Sequence, residues 1–231
     1  MKDKNLKICE IFSSISGEGL HTGNLATFIR FSGCNMNCSY CDTKYHSQIS
    51  YVVDVEYINL NKELTNKLAN KKFVILTGGE PYCQNHQELK KLIDWLLKNG
   101  TERIEIETNG KYLNEFINLL EEYHSTEKVC FSADFKIDCI KNYKYLLSAF
   151  LGYEKLNDYD CIKVVVKSVD DVEKAKEIAN KFKNTNVFVS PCYKVISPTE
   201  IAEYIIKNNY QNLRTQIQLH KILWEANARG K

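Results

Sequence analysis

Proline occurs only three times in 231 residues, and no stretch is rich in proline, glycine or serine. Nothing therefore resembles an interdomain linker, and residues 1–231 are expected to form a single domain. Net charge is nearly absent as well, with 31 basic residues against 29 acidic ones. The lysine pairs at 71–72 and 90–91 fit solvated helix faces, so nucleic acid is disfavoured as a direct partner. No apolar run approaches a membrane span, and the start Met-Lys-Asp-Lys-Asn-Leu-Lys lacks the apolar segment of a secretory signal. The expected location is the cytoplasm, away from membranes. Internal repeats and low-complexity tracts are missing too. What remains is a chain of 44% hydrophobic content, able to bury one substantial core.

The cysteines are the exception to this plainness. There are nine, an odd number, which in a reducing compartment suits metal binding better than a disulfide framework. Cys34, Cys38 and Cys41 fall at Cys-x3-Cys-x2-Cys inside Phe28-Ile-Arg-Phe-Ser-Gly-Cys-Asn-Met-Asn-Cys-Ser-Tyr-Cys-Asp-Thr43. A cubane iron-sulfur cluster ordinarily takes four thiolates, so three leave one iron open to an outside ligand. A closed zinc site is the alternative, but it usually draws on two ligand pairs, and the chain has no second Cys-x-x-Cys and no His-x3-His pair. Cys9, Cys83, Cys130, Cys139, Cys161 and Cys192 read as ordinary interior or loop thiols.

Short β-rich runs alternate with helical patterns. Strands are expected over Leu25–Phe31, Phe73–Thr77, Arg103–Thr108, Val129–Ala133, Cys161–Lys167 and Asn186–Ser190, with an additional extended segment at Ile8–Phe12. Helical periodicity covers Val55–Ala69, His86–Lys98, Tyr112–Tyr123, Tyr143–Phe150, Asp170–Phe182 and Thr199–Lys207. Strands separated by helix-length connections predict right-handed βαβ units and a parallel sheet, closed into a barrel or left open. Functional groups in such folds collect at the carboxyl ends of strands. Thr77-Gly78-Gly79-Glu80-Pro81 follows the second strand, where paired glycines permit close ligand approach. Glu107 and Asn109 end the third strand, Ser132-Ala-Asp-Phe-Lys136 the fourth, and Ser190-Pro191-Cys192 the last.

The cysteine trio followed by Gly78-Gly79-Glu80 resembles the radical S-adenosylmethionine (SAM) family. That resemblance implies a partial (β/α)6 barrel of the TIM type, with the cluster loop after the first barrel strand and Ile8–Phe12 pairing near the barrel's edge. It also implies a 4Fe-4S cluster whose open iron chelates SAM. Ile11-Phe-Ser-Ser-Ile-Ser-Gly-Glu-Gly19, His21-Thr-Gly23, Phe28-Ile-Arg30, Cys41-Asp-Thr43 and the tail Gln216-Ile-Gln-Leu-His220, with Trp224 and Arg229-Gly230, are similar to the 7-carboxy-7-deazaguanine synthase branch. This further resemblance implies a lyase of queuosine-type deazapurine biosynthesis, acting on a small pterin with SAM and magnesium. It would take electrons from an external reductant such as flavodoxin, and relatives are often homodimers.

By the same resemblance, Cys34, Cys38 and Cys41 hold the cluster and Thr43 a magnesium ion. Tyr40, Cys41 and Asp42 meet SAM, as do Gly78, Gly79, Glu80, Glu107, Ser132 and Lys136. Ile15, Ser16, Gly17, Arg30, Thr77 and His220 surround the substrate. Two departures stand out: Ser16 replaces a common glutamine, and Ser132–Lys136 departs from a Ser-Pro-Lys pattern. No residue is assigned as catalytic, because hydrogen abstraction needs placement and water exclusion more than an acid-base pair. Proton transfers accompanying ammonia loss fall to Glu18, Glu107 or substrate groups. His21, His46, His86 and His124 are given no catalytic role. Two other functions share part of the pattern: a glycyl-radical-enzyme activase, against which stand the Ser-Gly-Glu-Gly segment, Arg30 and the tail, and a non-enzymatic iron-sulfur carrier, which leaves Gly78-Gly79-Glu80 unexplained.

Overall fold

The computed structural model describes residues 5–137, 152–225 and 228–231. The helix expected over Tyr143–Phe150 and the thiol of Cys139 lie outside the described residues. Nine strands form one sheet: β1 (Leu6–Ile15), β2 (Leu25–Phe31), β3 (Tyr51–Val53), β4 (Phe73–Gly78), β5 (Arg103–Thr108), β6 (Val129–Asp134), β7 (Cys161–Val166), β8 (Asn186–Pro191) and β9 (Arg214–Thr215). Their order is β3-β1-β2-β4-β5-β6-β7-β8-β9. From β2 to β9 every neighbour is parallel, whereas β1 runs antiparallel to both β2 and β3. The extended segment expected at Ile8–Phe12 is thus the middle of β1, one strand in from the edge.

The sheet curls without closing. Gly19, in the turn after β1, donates its N–H to the Gln216 side chain at 2.8 Å, and Leu219 donates to the Gly17 carbonyl at 3.1 Å. Residues from opposite ends of the strand order thereby meet across the interior, as in a partial (β/α)6 barrel. Alternation along each strand separates two environments. On β5, Ile104 and Ile106 join the apolar core outside the sheet, while Arg103, Glu105 and Glu107 share the opposite, inward face.

The outer core is built by helices α1 (Val55–Leu60), α2 (Lys62–Leu68), α3 (His86–Lys98), α4 (Leu113–Leu119), α5 (Glu121–His124), α6 (Val169–Lys181) and α7 (Pro198–Lys207), while the short α8 (His220–Leu223) has no buried residue and lies against Gly17. Leu89, Leu92, Ile93 and Leu96 of α3 pack with Val74, Leu76, Ile104 and Ile106, which is the i, i+3, i+4, i+7 stripe of an amphipathic helix. Asn85 caps α3 by accepting from Gln87 N and Glu88 N, and Ser168 and Ser197 cap α6 and α7 in the same manner. The single helix expected over Val55–Ala69 is two: Asn61 leaves helical geometry and its side chain accepts from Leu64 N, ending α1 and starting α2. The helix expected over Tyr112–Tyr123 is likewise interrupted at Leu120.

One buried carboxylate ties this outer layer to the sheet. Asp160 accepts from Phe131 N at 2.7 Å and from Asn157 N at 2.8 Å, and lies 2.7 Å from His124 Nε2. Asp160→Ala leaves these groups without their partner in a fully enclosed position. It is expected to lower unfolding free energy by about 3 kcal/mol, read as an earlier urea midpoint with unchanged far-ultraviolet circular dichroism before unfolding.

Candidate active site

The cysteine loop leaves β2 at its carboxyl end, next to the end of β4. Gly79 N donates to Phe31 O at 3.1 Å and Glu80 N donates to Gly33 O at 2.9 Å. A Cβ on Gly79 would lie 2.0 Å from the Gly33 carbonyl oxygen, and Gly78 has φ +138° with Phe31 backbone at 2.3 Å from its missing Cβ. Glycine is required at both positions by sterics. Glu80 accepts from Tyr82 N, Thr108 Oγ1 and Asn109 N at 3.1, 2.9 and 2.7 Å. Burial nevertheless pushes its carboxyl up to about 7. Its side chain is engaged inside the protein, leaving the Gly78-Gly79 backbone against the cysteine loop. Asn109 donates to Asn35 Oδ1 at 2.7 Å and to Cys34 Sγ at 3.8 Å.

The three thiols suit an iron-sulfur cluster. Cys34, Cys38 and Cys41 are half-buried, and burial raises the Cys34 and Cys41 thiols. Met36 N also points at Cys34 Sγ, at 3.4 Å. Donors aimed at the Cys34 sulfur suit a thiolate held by a metal centre.

Thr43 sits beside Arg30, whose Nη1 lies 3.4 Å from Thr43 Oγ1. Glu10 holds the guanidinium through Nε at 2.7 Å and accepts from the Tyr45 hydroxyl at 3.0 Å, while the Phe12 and Tyr45 rings lie near 5.7 and 5.8 Å. Tyr40 is flanked by Lys136 and Lys167 at 5.6 and 4.9 Å from its ring centre. Burial alone would lower the Lys136 ammonium, but Asp134, at 2.6 Å, and Tyr40 raise it. Asp42 is exposed, 3.8 Å from Lys221.

The turn from Ser16 to Asn24 plugs the barrel from its amino end. Its neck is closed by Ser16 N to Asn24 O and Gly23 N to Ser16 O, both 2.8 Å. Glu18 reaches Lys163 on β7 at 2.9 Å and Gln218 at 2.5 Å. The C-terminal His220 lies against Gly17, where a Cβ would come 2.5 Å from its Nδ1, and burial lowers its imidazole. Ile15, the last residue of β1, pairs with Leu25. Thr77 donates to Glu107 at 2.6 Å. Ser132, expected near SAM, is enclosed in the barrel and accepts from Cys161 Sγ at 3.3 Å; from β6 it is Asp134 that meets the lysines. A cavity of about 420 Å³, lined by Pro191, Tyr193, Val195, Ile217, Gln218 and Lys221, opens beside this centre.

His21, Glu105 and Cys130 also place ligand atoms within 4.8 Å of one another. His21 Nε2 accepts from Arg103 Nη1 at 2.8 Å, so its proton sits on Nδ1, 2.6 Å from Glu105. A cation at Nδ1 would force a proton onto Nε2 facing the guanidinium, and the group is accordingly a hydrogen-bonded chain that anchors the plug. Sequence reasoning does not reach Glu10, Asp134 or Lys163. Lys163 carried a usable signal, since it is one charge in the apolar run Cys-Ile-Lys-Val-Val-Val, the same signal that marks Arg30.

A Cys-x3-Cys-x2-Cys loop set against a glycine-lined turn at the carboxyl end of a parallel sheet defines an iron-sulfur protein of the radical SAM class. The model of the Radical SAM superfamily matches residues 28–196. Among curated relatives, 7-carboxy-7-deazaguanine synthase of Clostridium acetobutylicum is 39% identical over 98% of this chain and 99% of that protein, and the synthase of Methanospirillum hungatei is 33% identical over 96% and 87%. The chain therefore belongs to the 7-carboxy-7-deazaguanine synthase family within the radical SAM superfamily. The crystal structure of QueE from Escherichia coli shares the fold, with a TM-score of 0.64 and 23% identity, over 94% of this chain and 95% of that one.

Gly79→Ala forces the cysteine loop away from β4 at a cost of about 1–3 kcal/mol. The expected outcome is lower iron and sulfide content after reconstitution, with circular dichroism unchanged.

Proposed function

We infer that this chain is a 7-carboxy-7-deazaguanine synthase, converting 6-carboxy-5,6,7,8-tetrahydropterin to 7-carboxy-7-deazaguanine with loss of ammonia. The observation that carries this reading is the 39% identity that runs through nearly the whole length of both chains. When bound, the reduced 4Fe-4S cluster and SAM supply a 5'-deoxyadenosyl radical that removes hydrogen from C6 of the pterin. Neither an activase nor an electron carrier accounts for a match of that length.

The chain's own residues bind, orient and enclose. Cys34, Cys38 and Cys41 hold the cluster. The Gly78-Gly79 backbone takes the methionine amino group, Tyr40 with the Cys41 and Asp42 backbone takes the nucleoside side, and Lys136 contributes positive charge beside Tyr40. Glu80 acts by fixing this turn. Thr43 offers magnesium a hard oxygen ligand. Arg30, already steered by Glu10, presents a guanidinium to the substrate carboxylate. Ile15, Ser16, Gly17, Thr77 and His220 edge the bicycle; Glu107, expected from sequence to meet SAM, accepts from Thr77 and lies 3.7 Å from Lys163, and we assign it to the substrate side instead. The plug excludes water from below. Ser132 supports the interior through Cys161.

We further propose a single catalytic domain working in the cytoplasm as a homodimer, with an external one-electron donor such as flavodoxin. The described cysteines are all free, which supports a reducing compartment, and no helix among the described residues is long and apolar enough to cross a membrane.

The test is an anaerobic assay of reconstituted protein with SAM, a chemical reductant and carboxytetrahydropterin, following deoxyadenosine and deazapurine by mass spectrometry. Both products are expected; deoxyadenosine alone would reopen the substrate. Cys38→Ala is expected to abolish cluster assembly and SAM cleavage, and activity surviving it would remove the trio from its role. Thr43→Ala should keep the cluster while raising the magnesium concentration needed for half-maximal rate by about tenfold; an unchanged metal response would end that assignment.

A further inference from the structure

The barrel axis holds one buried ammonium among three carboxylates. Lys163 Nζ lies 2.9 Å from Glu18, 3.7 Å from Glu107 and 3.7 Å from Asp134. Each carboxylate has a second donor of its own: Gln218 on Glu18, Thr77 on Glu107 and Lys136 on Asp134. The three belong to different parts of the chain, namely the plug, β5 and β6, so Lys163 is the point at which they meet. Buried charge persists only where it is paired and hydrogen-bonded. Three carboxylates around one ammonium exceed what stability alone requires, since an apolar residue at this position would need none of them.

Their protonation differs. Burial would raise Glu18, but the charge and hydrogen bond of Lys163, aided by Gln218, bring it down to about 2. Burial raises Glu107, with Glu18 and Glu105 adding to the rise and Lys163 and Thr77 opposing it. One ammonium thus keeps one carboxylate firmly ionised and restrains the protonation of the other.

We propose that Lys163 is a positioning residue for the ring contraction, its ammonium holding Glu18 and Glu107 as two fixed acceptors for the N–H groups of the bicyclic aminopyrimidinone substrate. This rests on the ring-contraction reading above. Glu18 belongs to the plug, next to Gly17 and His220, and Glu107 stands across from it beside Thr77 and Arg30's strand neighbour β4. Without the ammonium the two carboxylates repel each other and Asp134, and the pocket turns against an anionic ligand.

Lys163→Met and Lys163→Gln test this, the second retaining a hydrogen-bond donor for Glu18 without the charge. The SAM-loaded, unreduced enzyme is titrated with carboxytetrahydropterin by calorimetry, and the reduced enzyme is assayed for the ratio of deoxyadenosine to deazapurine. Both variants are expected to bind the pterin about 10- to 100-fold more weakly and to release excess deoxyadenosine, because misplaced substrate is not reached by the radical. SAM affinity should fall by much less than pterin affinity, since Lys163 reaches the SAM side only through Asp134, which keeps Lys136 as its closer partner. Lys163→Arg should recover part of the pterin affinity. Wild-type affinity and product ratio in Lys163→Gln would overturn the proposal, and so would a parallel loss of SAM affinity in both neutral variants, which would mean that the lysine merely holds the barrel together. A wild-type enzyme that cleaves SAM but forms no deazapurine would instead overturn the ring-contraction reading, a result seen before any variant is made.

Discussion

The contact on which the site depends is the approach of the Gly79 backbone to Gly33. With only 2.0 Å between a would-be Cβ and the Gly33 oxygen, no side chain fits, and the ends of β2 and β4 are stitched together by main-chain hydrogen bonds. That fixes where the cysteine loop begins relative to the Gly-Gly turn. Glu80 carries the same register to the next strand through Thr108 and Asn109, and the Asn109 amide returns to Asn35 and Cys34. Three strand ends are thereby tied to one another and to the start of the cysteine loop.

The inside of the barrel obeys a different rule from the outside. Between sheet and helices the core is almost entirely Leu, Ile, Val and Phe, held by area burial and close packing. Within the sheet's concave face stand Arg30, Glu105, Glu107, Asp134 and Lys163, each with a partner. The plug makes this possible: His21 supplies the partner for Glu105 and Arg103, and Glu18 the partner for Lys163. A polar interior closed from below can accept a polar bicycle from above at little reorganisation, which is the condition for radical chemistry without leakage to water.

Legibility followed the range of the forces involved. β5 and α3 are legible with the bounds they have, because a β-rich run and an amphipathic stripe flanked by turn residues are local signals. Asn61 sits inside one long periodic stretch, where periodicity continues across the cap that ends α1 and starts α2 and so hides the break. β3 and β9, at three and two residues, are too short for any alternation to register. Ser132 is a SAM contact by resemblance alone, and no local pattern announces that its hydroxyl accepts from Cys161 inside the barrel.

By itself the sequence determined the alternation of strands and helices, the cysteine spacing and the glycines that let backbone approach backbone, since each follows from local geometry or from the chemistry of a few adjacent residues. Only the tertiary structure decided which charges meet. Lys163 and Glu18 are 145 positions apart and Glu18 and Gln218 are 200; their contact exists because the sheet curls and the plug enters it. Periodicity assigns a side chain to a face, whereas curvature and burial choose its partner across the barrel, and with it the protonation state and the role.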